Sequence, residues 1–217
     1  MKCDDVALRL YAVTDRAWTG KQTLPEQVEA ALQGGITMLQ LREKALSQEA
    51  FLAEALEMQA LCRRYQVPFL INDDVALAIR CNADGVHVGQ HDMAAQNVRQ
   101  LLGADKLLGV SVQTVEQAVL AEQSGADYLG VGAVFPTSTK TDADAVSIET
   151  LRAICDAVSL PVCAIGGITA DNLQKLSGTG IEGVALVSAI FAAEDITGQC
   201  KQLRQQCELL FGEGANA

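Results

Sequence analysis

The sequence predicts a (β/α)8 TIM barrel, a parallel α/β fold closed on itself as a single domain over residues 1–217, with a frayed tail from about residue 212. Three observations carry that expectation. Strand-like and helix-like segments alternate through the whole chain, eight of each in turn. The strand-like segments are near-continuous runs of Val, Leu and Ile, as expected of strands covered on both faces. A Gly166-Gly167 pair follows the seventh, where this fold commonly receives a phosphate. A doubly wound open sheet is the alternative, but eight even units favour closure.

The elements follow in order. Arg9 to Asp15 reads as the first strand, and Pro25 opens a helix that Gly34-Gly35 ends. Met38 to Glu43 is the second strand, and Ser47 caps a long helix reaching Tyr65. Val67 to Ile71 leads into Asn72-Asp73-Asp74 and a short helix, and Gly85 to Gly89 is the fourth strand. A helix near Ala94 to Leu102 precedes Leu107 to Val112, and Thr114 to Ser124 is helical. The sixth strand begins at Tyr128, and Ser147 caps a helix to Val158. Pro161 to Ile165, a helix over Ala170 to Leu176, Gly183 to Val187 and a helix from Ile196 to Phe211 complete the pattern.

Composition narrows the function classes. Sixteen basic against 27 acidic residues give a net charge of −11, which argues against nucleic acid or an anionic membrane as partner. The seven cysteines never form a Cys-x-x-Cys pair and only two histidines are present, so reduced thiols rather than a zinc site are expected. The first residues lack the apolar core of a signal peptide, and no apolar run approaches the ~18 residues of a membrane helix. A soluble cytoplasmic protein is the expectation, and a homo-oligomer is compatible with it.

Chemistry in this fold belongs at the C-terminal ends of the strands. The polar residues expected there include Asp15, Gln40, Arg42, Lys44, Asn72, Asp73, His87, Asp92 and Ser111, then Thr137, Ser138, Thr139 and Lys140, and finally Gly166, Gly167 and Ser188. Period-two alternation puts Gln40, Arg42 and Lys44 on one face and Leu41 and Glu43 on the other. A Gln, an Arg and a Lys facing one mouth suit a diphosphate or a polar ring, though a salt-bridged rim is the simpler alternative. Asp73 and Asp92 follow adjacent strands and suit a hard cation completed by phosphate oxygens and water; helix capping competes, with Asp74 the better cap. Gly166-Gly167 and Val187-Ser188 suit a phosphate. His87 reads as a core histidine or, less readily, a general base.

Taken together, these motifs resemble the thiamine-phosphate synthase family. They are Gln40-Leu-Arg-Glu-Lys44, Asn72-Asp73, Asp84-Gly-Val-His-Val-Gly-Gln-His-Asp92, Gly109-Val-Ser111, Phe135-Pro-Thr-Ser-Thr-Lys140, Gly166-Gly-Ile and Val187-Ser-Ala-Ile, in order along nearly the whole chain. The resemblance implies a transferase that joins a hydroxymethylpyrimidine diphosphate to a thiazole phosphate and releases diphosphate. It implies that Gln40, Leu41, Arg42, Glu43, Lys44, Asn72, Ser111 and Lys140 bind the pyrimidine diphosphate, with Arg42, Lys44, Ser111 and Lys140 acting in the reaction. One Mg²⁺ would be held by Asp73 and Asp92. Thr137, Ser138, Thr139, Gly167, Val187 and Ser188 would hold the thiazole phosphate. The loop after Lys140 departs from the proline-containing form of the family. A thiazole tautomerase-like isomerase and a non-catalytic thiazole phosphate sensor are the competing readings.

Overall fold

The computed structural model describes residues 3, 5–20, 22–89, 95–137 and 145–212. Its centre is a closed barrel of eight parallel strands in sequence order. They are β1 (Leu10–Val13), β2 (Met38–Leu41), β3 (Phe69–Asn72), β4 (Gly85–Val88), β5 (Leu107–Val112), β6 (Tyr128–Val131), β7 (Val162–Ile165) and β8 (Gly183–Leu186), and β8 pairs with β1 to close the ring. Around it lie α1 (Asp5–Leu8), α2 (Leu24–Gln33), α3 (Gln48–Tyr65), α4 (Val75–Arg80), α5 (Ala95–Leu102), α6 (Val115–Gln123), α7 (Ile148–Ala157), α8 (Ser188–Phe191) and α9 (Ile196–Phe211).

The helices start where local chemistry allows. Thr23 and Glu26 form a reciprocal capping box at α2, with Pro25 in the first turn. Ser47, Asp74, Thr114, Ser147 and Asp195 each accept an amide hydrogen bond at the start of α3, α4, α6, α7 and α9. On α3 the buried Phe51, Ala55, Met58 and Cys62 recur every three or four residues and lie against the sheet.

Each strand turns alternate residues outward and inward. Leu10, Ala12, Leu39, Leu41, Phe69, Ile71, Val86 and Val88 join the layer between sheet and helices. Tyr11, Val13, Met38, Leu70, Leu107, Tyr128, Cys163 and Ala185 fill the barrel itself. The inward residues are apolar toward the strands' N-terminal ends and polar toward their C-terminal ends, where Gln40, Asn72, His87 and Ser111 stand.

The N-terminal end is closed by α1, whose Leu8 packs into the barrel. Strands there are also pinned in pairs. Thr37, Asp84 and Asp127, each just before an even-numbered strand, accept through their side chains from the amides of Leu10, Phe69 and Leu108 on the preceding strand, at 2.7–2.9 Å. Their own amides donate back to the carbonyls of those three residues.

The structure adjusts several expected boundaries. β1 and β2 stop at Val13 and Leu41, so Asp15, Arg42, Glu43 and Lys44 lie in loops beyond the strand ends. Asp15 caps a 3-10 turn over Arg16–Trp18. The helix expected over Ala170 to Leu176 is only a 3-10 turn, Leu173–Leu176, cut short before two glycines with positive φ, Gly178 and Gly180. The short α1 and α8 were not expected, because four residues are too few to show a helical period. Residues 213–217, where a tail was expected, lie outside the described residues.

Five cysteines, Cys62, Cys81, Cys163, Cys200 and Cys207, are buried, and all seven are free thiols. Burial pushes the thiols of Cys62, Cys200 and Cys207 up to about 12. They therefore stay protonated in the fold while an unfolded chain would ionise them. A raised folded pKa contributes stability that is whole below pH 9 and is lost as pH climbs toward 12. Denaturant midpoints measured from pH 8 to 10.5 are expected to fall steeply, and Cys207→Ala is expected to flatten the slope by up to about 1.4 kcal/mol per pH unit.

A glycine sets the docking of α1. A Cβ on Gly183 would lie 2.0 Å from the Leu8 carbonyl oxygen and 2.6 Å from the Arg9 Cα, both backbone atoms that cannot swing away. At Gly20 nothing lies within 4 Å. Gly183→Ala is expected to lower unfolding free energy by about 1–3 kcal/mol and Gly20→Ala by less than about 0.5, measured by urea denaturation.

Candidate active site

The C-terminal end of the barrel collects the polar groups. Gln40 on β2 is buried and points inward, where its Nε2 donates to the Tyr11 hydroxyl at 2.5 Å. The Tyr11 and Tyr128 hydroxyls are 2.9 Å apart, with the rings edge to face. Tyr128 in turn lies 2.9 Å from Nδ1 of His87, and Nε2 of His87 lies 2.9 Å from Oγ of Ser111. A continuous chain of hydrogen bonds, buried as far as His87 and partly buried at Ser111, thus crosses the barrel from β2 to β5 through β1, β6 and β4.

Glycines make this chain fit. A Cβ on Gly109 would stand 2.3 Å from the Tyr128 hydroxyl and 2.5 Å from His87 Nδ1, and one on Gly130 would stand 3.1 Å from the His87 ring. The register of β4, β5 and β6 puts His87, Gly109 and Tyr128 side by side, so the middle strand must carry no side chain there. Burial raises both tyrosine phenols far above their usual range, so each keeps its proton.

Among the described residues Arg42 and Lys44 stand at the mouth, each with a carboxylate beside it. Arg42 Nη1 donates to Asp15 at 3.0 Å, and its amide donates to Thr14 at 2.9 Å. Lys44 Nζ donates to Asp73 at 2.6 Å, and Asn72 Nδ2 donates to the same carboxylate oxygen at 2.5 Å. Asp73 has a positive φ of 63°, with its amide bonded to the His87 carbonyl, and Asp74 caps α4 instead. The expectation that Asp74 is the cap is met.

Two members of the Gln40–Lys44 segment face away from the mouth. Leu41 is fully buried between sheet and helices, so only its backbone could meet a ligand. Glu43 accepts from Arg16 and from the amides of Lys44 and Ala45. Burial works to raise its carboxyl, but the amides of Ala45 and Lys44 together with Arg16 outweigh this and hold it low. Arg16 also donates to Glu54, tying the loop after β1 to the loop after β2 and to α3. Arg16 and the two tyrosines were not singled out in the sequence, because Arg16 lies in an unpatterned loop and the tyrosines sit within apolar runs.

On the opposite side, Gly166 and Gly167 follow β7 with φ of 97° and 65°. A Cβ on Gly167 would stand 2.4 Å from the Pro136 carbonyl oxygen, so this turn packs directly against the backbone of Phe135 and Pro136 in the loop after β6. Val187 precedes α8, which starts at Ser188 without a side-chain cap. Among the described residues no hydrogen bond is made to the amides of Ser188 and Ala189. Glycine turn and uncapped helix start form one face of the mouth, and the Arg42–Lys44 wall forms the other.

Asp92, Ser138, Thr139 and Lys140 lie outside the described residues. Among the described residues no group of three or more His, Cys, Asp or Glu side chains could hold a metal ion. Asp73 by itself suits a hard cation that takes the rest of its shell from ligand oxygens and water. Lys44 shares that carboxylate, so a divalent ion would fit best when an anionic ligand arrives to take up the ammonium as well.

The turn at Gly167 yields a direct test. Alanine there meets both a left-handed backbone and the Pro136 carbonyl. Gly167→Ala is expected to weaken binding of a phosphate monoester by more than about tenfold, with a smaller loss in thermal stability. Calorimetric titration beside a melting curve checks it.

Comparison with known proteins agrees along most of the chain. Residues 10–190 match the family model described as thiamine monophosphate synthase. The chain is 51% identical over 194 residues to a thiamine-phosphate synthase of Ruminiclostridium cellulolyticum, covering 89% of this chain and 92% of the relative. It is 47% identical over 194 residues to that of Clostridium tetani, covering 89% and 93%. Among solved structures, a thiamine phosphate pyrophosphorylase from Pyrococcus furiosus superposes with a TM-score of 0.89 at 37% identity, over 96% of this chain and 99% of the other.

Proposed function

The chain belongs to the thiamine monophosphate synthase family, and we propose on that premise that it is a transferase making thiamine phosphate. It would join 4-amino-2-methyl-5-hydroxymethylpyrimidine diphosphate to 4-methyl-5-(2-phosphooxyethyl)thiazole and release diphosphate. The observation that carries this reading is the arrangement of one mouth between two unlike faces. One is a wall of Arg42, Lys44, Asn72 and Asp73; the other is the Gly167 turn and the uncapped start of α8. Two phosphate-bearing substrates can lie in such a mouth with their reacting ends between them. A tautomerase-like isomerase or a sensor would have no use for the diphosphate wall, and the relatives compared here are named as synthases.

In this reading Gln40, Arg42, Lys44, Asn72, Ser111 and Lys140 bind the pyrimidine diphosphate, along with the backbone at Leu41 and Glu43. Breakage of the pyrimidine methylene C–O bond builds negative charge on the leaving diphosphate. Arg42, Lys44 and Lys140 are placed by their sequence positions to stabilise that charge. Asp15 and Asp73, the present partners of Arg42 and Lys44, are exchanged for phosphate oxygens when substrate enters. One Mg²⁺, held by Asp73 and Asp92, would supply further charge stabilisation to the diphosphate when bound. Thr137, Ser138, Thr139, Gly167, Val187 and Ser188 hold the thiazole phosphate, so that the thiazole nitrogen faces the methylene carbon. The substrate's own amino group spreads the positive charge on the pyrimidine, so no protein nucleophile is needed.

Mixing both substrates with the protein is expected to release diphosphate only when Mg²⁺ is present. A chain that merely isomerises or binds a thiazole phosphate would release none. Asp73→Asn and Asp92→Ala are each expected to lower turnover by well over tenfold, a loss above about 1.4 kcal/mol in the transition state. Near-normal turnover at saturating Mg²⁺ and substrate would remove the metal-ligand assignment.

A further inference from the structure

The loops after β1 and β2 are joined by two ion pairs that run in opposite senses. Asp15 and Arg16 are neighbours in one loop, Arg42 and Glu43 in the other. Asp15 accepts from Arg42 Nη1 at 3.0 Å, and Arg16 Nε donates to Glu43. The two pairs differ in their surroundings. The Arg42 side chain is 28% exposed, so an anion at the mouth can take it from Asp15. The Glu43 side chain is only 3% exposed, and both its oxygens are engaged. One accepts from Arg16, the other from the amides of Lys44 and Ala45 at 2.8 and 3.0 Å. The bend that carries Lys44 is thus wrapped around a carboxylate that Arg16 holds.

Glu54 on α3 makes that cation hard to replace. Its Oε1 accepts from Arg16 Nη2 at 2.5 Å, and its Oε2 is buried with no hydrogen-bond partner among the described residues. The Glu54 side chain is 12% exposed, so two nearly buried carboxylates meet at one guanidinium. Burial raises the Glu54 carboxyl, and the Glu43 charge adds to that rise. Without Arg16, like charges would confront each other where water is scarce. Glu43 would be driven out, and the amides of Lys44 and Ala45 would lose the acceptor that shapes their bend.

We infer that Arg16 is a positioning residue for the diphosphate wall: it neutralises Glu43 and Glu54 together, and so holds the loop of Arg42 and Lys44 while those two change partners. Which anion they change to rests on the transferase reading above. Adjacent residues thereby have opposite duties. Asp15 lets go when the anion arrives, and Arg16 does not. Arg16 acts through Glu43 rather than on the ligand.

The test measures binding of inorganic diphosphate with Mg²⁺ and, separately, of the thiazole phosphate, which takes the opposite face. Arg16→Gln is expected to weaken diphosphate binding about tenfold and to leave the thiazole phosphate within about twofold of native. A role in stability alone would move both probes together or neither. Glu54→Gln alone is expected to change diphosphate binding by less than about twofold. Arg16→Gln combined with Glu54→Gln is expected to recover to within about threefold of native, because the confronting charge is gone. A double variant as weak as Arg16→Gln overturns the inference, as do equal losses for the two probes or native-like diphosphate binding by Arg16→Gln. If Arg16→Gln does not fold, Arg16→Lys takes its place. A lysine ammonium is a point charge without the fork that serves two carboxylates, so about threefold weaker diphosphate binding is expected and unchanged affinity overturns the inference. Absence of diphosphate binding by the native protein overturns it too. A native protein that binds diphosphate yet forms no thiamine phosphate counts against the transferase reading alone, and the Arg16 comparison still decides the inference.

Discussion

Two phenol groups meet inside the barrel, and each must find partners without water. Tyr11 and Tyr128 are almost fully excluded from solvent, so an unpaired hydroxyl there would cost on the order of 1–3 kcal/mol. Much of the surrounding sequence answers that demand. Gln40 supplies a donor from one side, and His87 Nδ1 is the partner on the other. Gly109 and Gly130 withhold the side chains that would crowd the ring and the imidazole. The result is a rigid polar bridge under the mouth, capped by the apolar layer of Met38, Leu70, Leu107 and Cys163 toward the other end. Packing and polar satisfaction here point the same way, which is what fixes a unique core arrangement.

Above that bridge the electrostatics are arranged for exchange. The chain has a net charge of −11, yet its candidate substrates are anions. Arg42 and Lys44 resolve this locally, and Asp15 and Asp73 hold both side chains at the mouth. These pairs are partly solvent-exposed, with Lys44 more than half open, so each contributes little to stability and is easily given up. Under the proposed function an arriving diphosphate would take over both cations and release the Asp73 carboxylate to an ion. Arg16, clamped by Glu43 and Glu54, holds the two loops carrying these groups together. Burial lifts the Glu54 carboxyl above its ordinary range, and Arg16 offsets this only in part.

The fold was legible because strand burial leaves a plain record. Runs such as Leu10 to Val13 and Val162 to Ile165 are apolar on both faces, and helix caps such as Ser47, Asp74 and Ser147 mark the turns between them. Gln40, Asn72, Asp73 and Ser111 could be placed at the mouth because each follows an apolar run at a strand's C-terminal end. The rest was hidden for physical reasons. Tyr11 and Tyr128 look apolar in a sequence, and their polar role exists only through register across the ring. His87 read best as a core histidine, and it is one, but with both ring nitrogens engaged.

The pins at the closed end of the barrel bear on how the ring is assembled. Thr37, Asp84 and Asp127 each tie one odd strand to the even strand that follows it, by a side-chain bond and a backbone bond at the same rung. Offset between partners is thereby fixed within a stretch of two strands and the helix linking them, by contacts local in the chain. A cylinder of eight strands tolerates only a set total stagger around its circumference. Distributing that stagger among locally self-aligned couples means the last seam, between first and eighth strands, inherits a match instead of having to search for one.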